Sequence, residues 1–140
     1  MNVVNPTLWL LAVLTVVQTT NFRADGTLSC SLPQKWCYLV EMVEKDTLVA
    51  FDDQIGDTGF QCVDSDNVGY SIMGSQQGDG LDNYFYEIAM SVSHNCTQEP
   101  GSVKKINRNI TYASVFEYEI SIEWNVDLTD KGDSVLDYFL

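Results

Sequence analysis

Apolar and polar residues alternate along much of this chain. In residues 116–128, FEYEISIEWNVDL, the set Phe116, Tyr118, Ile120, Ile122, Trp124, Val126 and Leu128 shares one parity. Glu117, Glu119, Ser121, Glu123, Asn125 and Asp127 take the other. Successive strand side chains point to opposite faces, so the run predicts a half-buried strand with an acidic solvated face, or two strands joined near Asn125. Residues 84–96, YFYEIAMSVSHNC, repeat the pattern, with Tyr84, Tyr86, Ile88, Met90, Val92, His94 and Cys96 on the inward parity. Residues 36–44, WCYLVEMVE, are apolar on both parities, the pattern of a central strand. Shorter strands are predicted at 26–30, 60–63 and 69–75, and a weakly alternating edge strand at 102–110. Asp, Asn and Gly cluster between these runs, as turns require. No stretch carries a helical stripe and no internal repeat is present. Many short strands at regular spacing predict an all-β sandwich.

Residues 8–17, LWLLAVLTVV, do not belong to that pattern. The run is too short to cross a bilayer as a helix and has the length of a secretory signal core. The expected organisation is a signal peptide over residues 1–20, then one domain from 21 to 140 with a short extension from about residue 129. The expected location is extracellular, and no second apolar run predicts a membrane span in the mature chain.

Secretion changes how the cysteines are read. Cys30, Cys37, Cys62 and Cys96 all follow the signal. An even count in an oxidising compartment predicts two disulfides, and four cysteines allow three connectivities. Zinc needs paired ligands such as Cys-x-x-Cys, and this spacing is absent. Two sequons, at Asn95 and Asn109, predict N-glycosylation. The net charge of −13 repels nucleic acid and anionic membranes.

The stretch SVSHNCT, residues 91–97, gathers Ser91, Ser93, Cys96 and His94, the one histidine of the chain. His94 and Cys96 share a strand face, two strand rises or roughly 7 Å apart, too far for direct proton transfer. Ser91 and Ser93 point to the opposite face, and a secreted Cys96 is expected to be oxidised. No catalytic residue, cofactor or metal ligand is therefore assigned. The acidic loop DSDNVG places Asp64, Asp66 and Gly69 at the first, third and sixth places of a calcium loop. Val68 stands at the fifth place and Ser75 at the twelfth, where Glu is needed, so a β-turn held by Asp and Asn side chains is expected. A looser calcium site joining Asp52, Asp53 or Asp57 to this loop is the alternative.

Taken in order, these segments resemble the nematode transthyretin-like family of secreted proteins. Its opening Gly-x-Leu-x-Cys strand is matched by Gly26, Leu28 and Cys30. Its second strand is matched by VEMVEKDTL through Val40, Met42, Glu44, Asp46, Thr47 and Leu48. Its Asp-Ser-Asp-Gly turn, aromatic and Gly-Ser are matched by VDSDNVGYSIMGS with one extra residue before Gly69. The end of its fifth strand is matched by Val92, His94, Asn95 and Cys96, and its last strand by SIEWN without the preceding Gly. Cys37, Cys62 and the apolar end SVLDYFL depart from the pattern.

The resemblance implies a transthyretin-type sandwich of two antiparallel sheets with roughly seven to eight strands. It implies a non-enzymatic extracellular binding or bridging protein whose ligand is a lipid, a cell surface or a protein. A parasite-secreted, host-directed effector is the alternative. Transthyretin-like hydrolases of the purine pathway use several histidines and a Tyr-Arg-Gly-Ser tail, which are absent here. In such a sandwich the second strand lies between the third and fifth, antiparallel to both. That placement implies the pairs Cys37–Cys62 within a sheet and Cys30–Cys96 across the core, with Cys30–Cys37 the main competitor. His94 is then a neutral ring inside one end, bonded to a carbonyl.

Overall fold

The structure, a computed structural model, describes residues 19–45, 52–77 and 84–135. The apolar run at 8–17 and residues 46–48 of the second motif lie outside them. The described residues form eleven strands and no helix. They are β1 Thr20–Ser29, β2 Trp36–Glu44, β3 Asp53–Asp57, β4 Gln61–Val63, β5 Asn67–Gln76, β6 Phe85–His94, β7 Val103–Asn107, β8 Thr111–Ser114, β9 Glu119–Glu123, β10 Val126–Asp127 and β11 Asp133–Val135.

Two sheets face one another. In the first, β1 lies between β5 and the successive strands β9 and β10. In the second the order is β11-β7-β6-β2-β3, with β4 also on β2 and β8 also on β6. Each sheet turns its apolar parity inward. β1 contributes Phe22, Ala24 and Leu28, β2 contributes Trp36, Tyr38, Val40 and Met42, and β6 contributes Tyr86, Ile88, Met90 and Val92. Ile72 of β5 and Ile120 and Ile122 of β9 close the core from the first sheet. The Phe22 and Tyr86 rings meet edge to face across it, centroids 5.1 Å apart.

Two glycines set the spacing where backbones touch. A Cβ on Gly26 would stand 2.0 Å from the Trp124 carbonyl oxygen, and one on Gly74 would stand 2.1 Å from that of Ile55. The Tyr70 ring covers Gly26, and its hydroxyl donates to the same Trp124 oxygen at 2.8 Å. Burial pushes that phenol up to about 12.

Several sequence expectations are corrected. The sheets are not wholly antiparallel, because β1 runs parallel to both β9 and β10. The last alternating run does break at Trp124 and Asn125, but it begins at Glu119 rather than Phe116. Ser114 explains the late start: its carbonyl accepts the Glu117 N–H at 3.1 Å and its hydroxyl accepts the Phe116 N–H at 3.2 Å. This local turn outcompetes the strand and leaves Phe116 and Tyr118 exposed. The third strand is two, β3 and β4, lying in turn along one edge of β2. β7 is not an edge, since β11 pairs with its far side, and residues 133–135 therefore belong to the sheet rather than to an extension. β1 opens six residues before the predicted Gly26, at buried Thr20, whose hydroxyl donates to the Glu117 carbonyl at 2.7 Å.

Candidate binding trough on the outer face of the second sheet

The cysteines form two disulfides, and they are the pairs that the resemblance implies. Cys30–Cys96 joins the ends of β1 and β6, one from each sheet, with both residues fully buried. Cys37–Cys62 joins directly opposed residues of β2 and β4. No thiol is left free. His94 lies buried near this end, its Nε2 donating to the Lys131 carbonyl at 3.0 Å. Among the described residues its Nδ1 has no hydrogen-bond partner. Burial, above all, pushes its pKa down to about 4, so the ring is neutral near pH 7. With Cys96 oxidised, residues 91–97 bring no thiol to this base.

The other singled-out residues are placed as follows. Asn95 is half-buried, and its Oδ1 accepts the Cys37 N–H at 2.7 Å, so the side chain lies against β2. Thr97 of the same sequon is buried and donates to the Glu99 carbonyl at 2.8 Å. Asn109 is exposed between β7 and β8. Asp64 and Asp66 are exposed on a turn in which the Ser65 hydroxyl donates to the Asn67 carbonyl at 2.7 Å. The Ser65 and Asp66 carbonyls of that turn accept from Trp36 Nε1 and the Cys30 N–H, at 2.8 and 2.9 Å. Asp52 pairs with Lys45, and Asp57 accepts the Gly59 N–H at 2.7 Å. Among the described residues no three His, Cys, Asp or Glu side chains are placed to hold a metal ion.

A different region has the shape of a site. The outward parity of β6 carries Ala89 and Ser91, both small. Their registered neighbours are larger: Val43 and Glu41 on β2, and Asn107 on β7. The short side chains leave a depression between two taller rows. Pairing of β6 with β7 ends at Ser91–Asn107 and resumes with β8 at Ile88–Thr111. Residues 108–110 leave the sheet between those points, anchored by the Arg108 N–H on the Met90 carbonyl at 2.9 Å, and Arg108 and Ile110 wall the depression. The result is an open trough of about 340 Å³, within the range of small-ligand sites.

Its electrostatics run against the rest of the molecule. Lys45, Lys105 and Arg108 line it, three of the seven basic residues in a chain of net charge −13. Lys105 Nζ lies 3.3 Å from Glu41 Oε2, and Lys45 pairs with Asp52. Arg108 donates to the Asn109 carbonyl at 3.3 Å and to the Thr111 hydroxyl. Among the described residues no carboxylate pairs with Arg108. Beyond Ala89 and Ile110 the same face becomes aromatic. Phe85 and Tyr112 are exposed there, Phe85 registered opposite Ser114 and Tyr112 opposite Glu87.

Sequence reading missed this trough. Ala89 and Ser91 on an outward parity were a usable signal, as were the two asparagines flanking Arg108, which favour departure from a strand.

The described residues form an all-β, two-sheet, disulfide-bonded domain with a basic depression in a chain of net charge −13. The chain belongs to the family described as Caenorhabditis elegans protein of unknown function (DUF870), whose model matches residues 25–136. It is 36% identical over 84 residues to the uncharacterized protein B0416.7 of Caenorhabditis elegans, a match covering 60% of this chain and 61% of that protein. The match therefore spans less than two thirds of the relative. No solved structure matches.

Proposed function

We propose that this protein is a secreted, non-enzymatic binding or bridging module of transthyretin-like architecture that holds its ligand in the trough of the second sheet. The observation that carries the reading is the convergence of Lys45, Lys105 and Arg108 on one depression of a strongly acidic chain. Such a concentration opposes the mean field and is unneeded for solubility. Strand order supports the architecture: β2 lies between β3 and β4 on one side and β6 on the other, antiparallel to all three. Two disulfides, the exposed Asn109 sequon and the apolar run at 8–17 support an extracellular site of action. A binding role rather than catalysis fits a trough whose lining includes neither histidine nor cysteine.

The test fills the trough without changing its charge. The wild-type chain and Ala89→Trp, both purified from a eukaryotic secretion host, are incubated with nematode extracellular fluid and examined by native mass spectrometry. Wild type is expected to carry a non-covalent adduct that Ala89→Trp lacks. An adduct of equal intensity on both proteins contradicts the reading.

A further inference from the structure

The trough also constrains what it holds. Its lining carries three cations, Lys45, Lys105 and Arg108, and two carboxylates, Glu41 and Asp52, a balance of +1. One negative charge neutralises it. A polyanion would meet the field of a chain with net charge −13 before reaching the trough, so nucleic acids and heavily sulfated glycans are disfavoured. Lys105 and Lys45 already have carboxylate partners, whereas among the described residues Arg108 has none, so the anion belongs at Arg108 with Lys105 beside it.

The rest of the surface asks for an apolar body. Ala89 and Ile110 continue from the basic end toward Phe85 and Tyr112 on the same face. Four strand rises along β6 separate Ala89 from Phe85, a span of about 13 Å. Glu87 stands between them on the outward parity, so an anionic head is excluded from that end and the orientation is fixed.

We propose that the trough binds a small monoanionic amphiphile, with its head on Arg108 and Lys105 and its apolar chain along Ala89 and Ile110 toward Tyr112 and Phe85. This rests on the trough being the binding site, as proposed above. A free fatty acid and a single-chain lipid with one net negative charge share this chemistry.

Isothermal titration calorimetry at low ionic strength tests it with defined probes, on chain deglycosylated after secretion. Decanoate is expected to bind with one site. Decanol, acetate and decyltrimethylammonium, which lack the charge, the chain or the sign, are expected to bind at least tenfold more weakly. Arg108→Ala is expected to weaken decanoate about tenfold or more, the loss of one charge-assisted contact, and Arg108→Lys to restore most of it. Raising salt is expected to weaken decanoate and not decanol. Decanoyl lysophosphatidylglycerol, a phosphodiester with one negative charge, then separates a single-chain lipid head from the free fatty acid represented by decanoate. Decanoate binding unchanged in Arg108→Ala, decanol equal to decanoate, or no decanoate heat at millimolar concentration overturns the ligand class. If decanoate fails while Ala89→Trp still loses its adduct from extracellular fluid, the trough stands and the amphiphile does not. If the adduct survives Ala89→Trp, the trough itself is the wrong site. Thermal melts of all variants confirm that each is folded before titration.

Discussion

The two sheets bury similar side chains inward and present opposite chemistry outward. On the first sheet the outward positions are Asn21, Arg23 and Asp25 of β1, paired with Glu119, Ser121 and Glu123 of β9. The Arg23 guanidinium bonds Asp25 at 2.5 Å and holds that carboxyl below its usual range, so the one cation of this row is already matched. On the second sheet Ala89 and Ser91 keep the middle low while cations stand to either side. Inward parity builds the sandwich in both sheets. Outward parity, through side-chain length and charge sign, decides which sheet carries the trough.

The largest expected effects fall on what the sheets share. Replacing both Cys30 and Cys96 by Ser unlinks the two sheets and frees a loop with a sequence separation of 66. The chain-entropy model puts that loss at about 4 kcal/mol, against about 3.5 kcal/mol for the Cys37–Cys62 pair with its separation of 25. Urea denaturation of the two double variants checks the ranking. A Cys37/Cys62 variant less stable than the Cys30/Cys96 variant would break the idea that the inter-sheet bond is the dominant staple.

Close backbone approach comes next. Gly26→Ala and Gly74→Ala each place a Cβ about an ångström inside a carbonyl contact. Each is expected to cost about 2 kcal/mol as overpacking, read as a fall in denaturation midpoint. Gly69→Ala, where an added Cβ has 3.9 Å to its nearest neighbour, is the control and should change little.

His94 gives a pH signature of similar size. Its folded pKa near 4 lies below the ordinary 6.5. The unfolded chain takes up the proton first as pH falls, so the neutral-ring stability is full above about 6.5 and is lost between there and about 4. The shift corresponds to about 3 kcal/mol across that window. Carboxylates titrate there too, so the test is the difference between wild type and His94→Gln. The difference should carry the slope, and parallel pH profiles for the two proteins would show that His94 is not held neutral by the fold.

The smallest effect is expected on the outward row of the first sheet. Glu119→Gln with Glu123→Gln should leave stability within about 0.5 kcal/mol, as exposed substitutions do. Decanoate affinity should change less than twofold. A large loss of affinity would place the ligand on the wrong face.

The long strands were legible because their burial is one-sided. β9 exposes one parity and buries the other, β6 buries one parity and leaves most of the other half-buried, and the alternation of Ile120 and Ile122 or of Ile88, Met90 and Val92 states that directly. β3 was not legible, because only Ile55 of DQIGD is buried and the composition reads as a loop. β8 and β11 were missed for the same reason, being short with one or no buried residue each. Alternation carries no information on partner direction, so the parallel pairing of β1 with β9 and β10 could not be read from it. The trough needs three strands in register and an excursion at Arg108, and no single segment contains that relation. The motif SVSHNCT shows the opposite case: its residue types are those of reactive chemistry, yet packing consumes His94, Cys96 and Thr97 in one structural end.

The most direct measurement is an amide NMR map of the deglycosylated chain titrated with decanoate. Shifts are expected at Ala89, Ser91, Lys105 and Arg108, fading toward Tyr112 and Phe85, with Arg23, Ser121 and Glu123 unmoved. Shifts confined to the β1–β9 face, or gathered around His94 at the disulfide end, would contradict it.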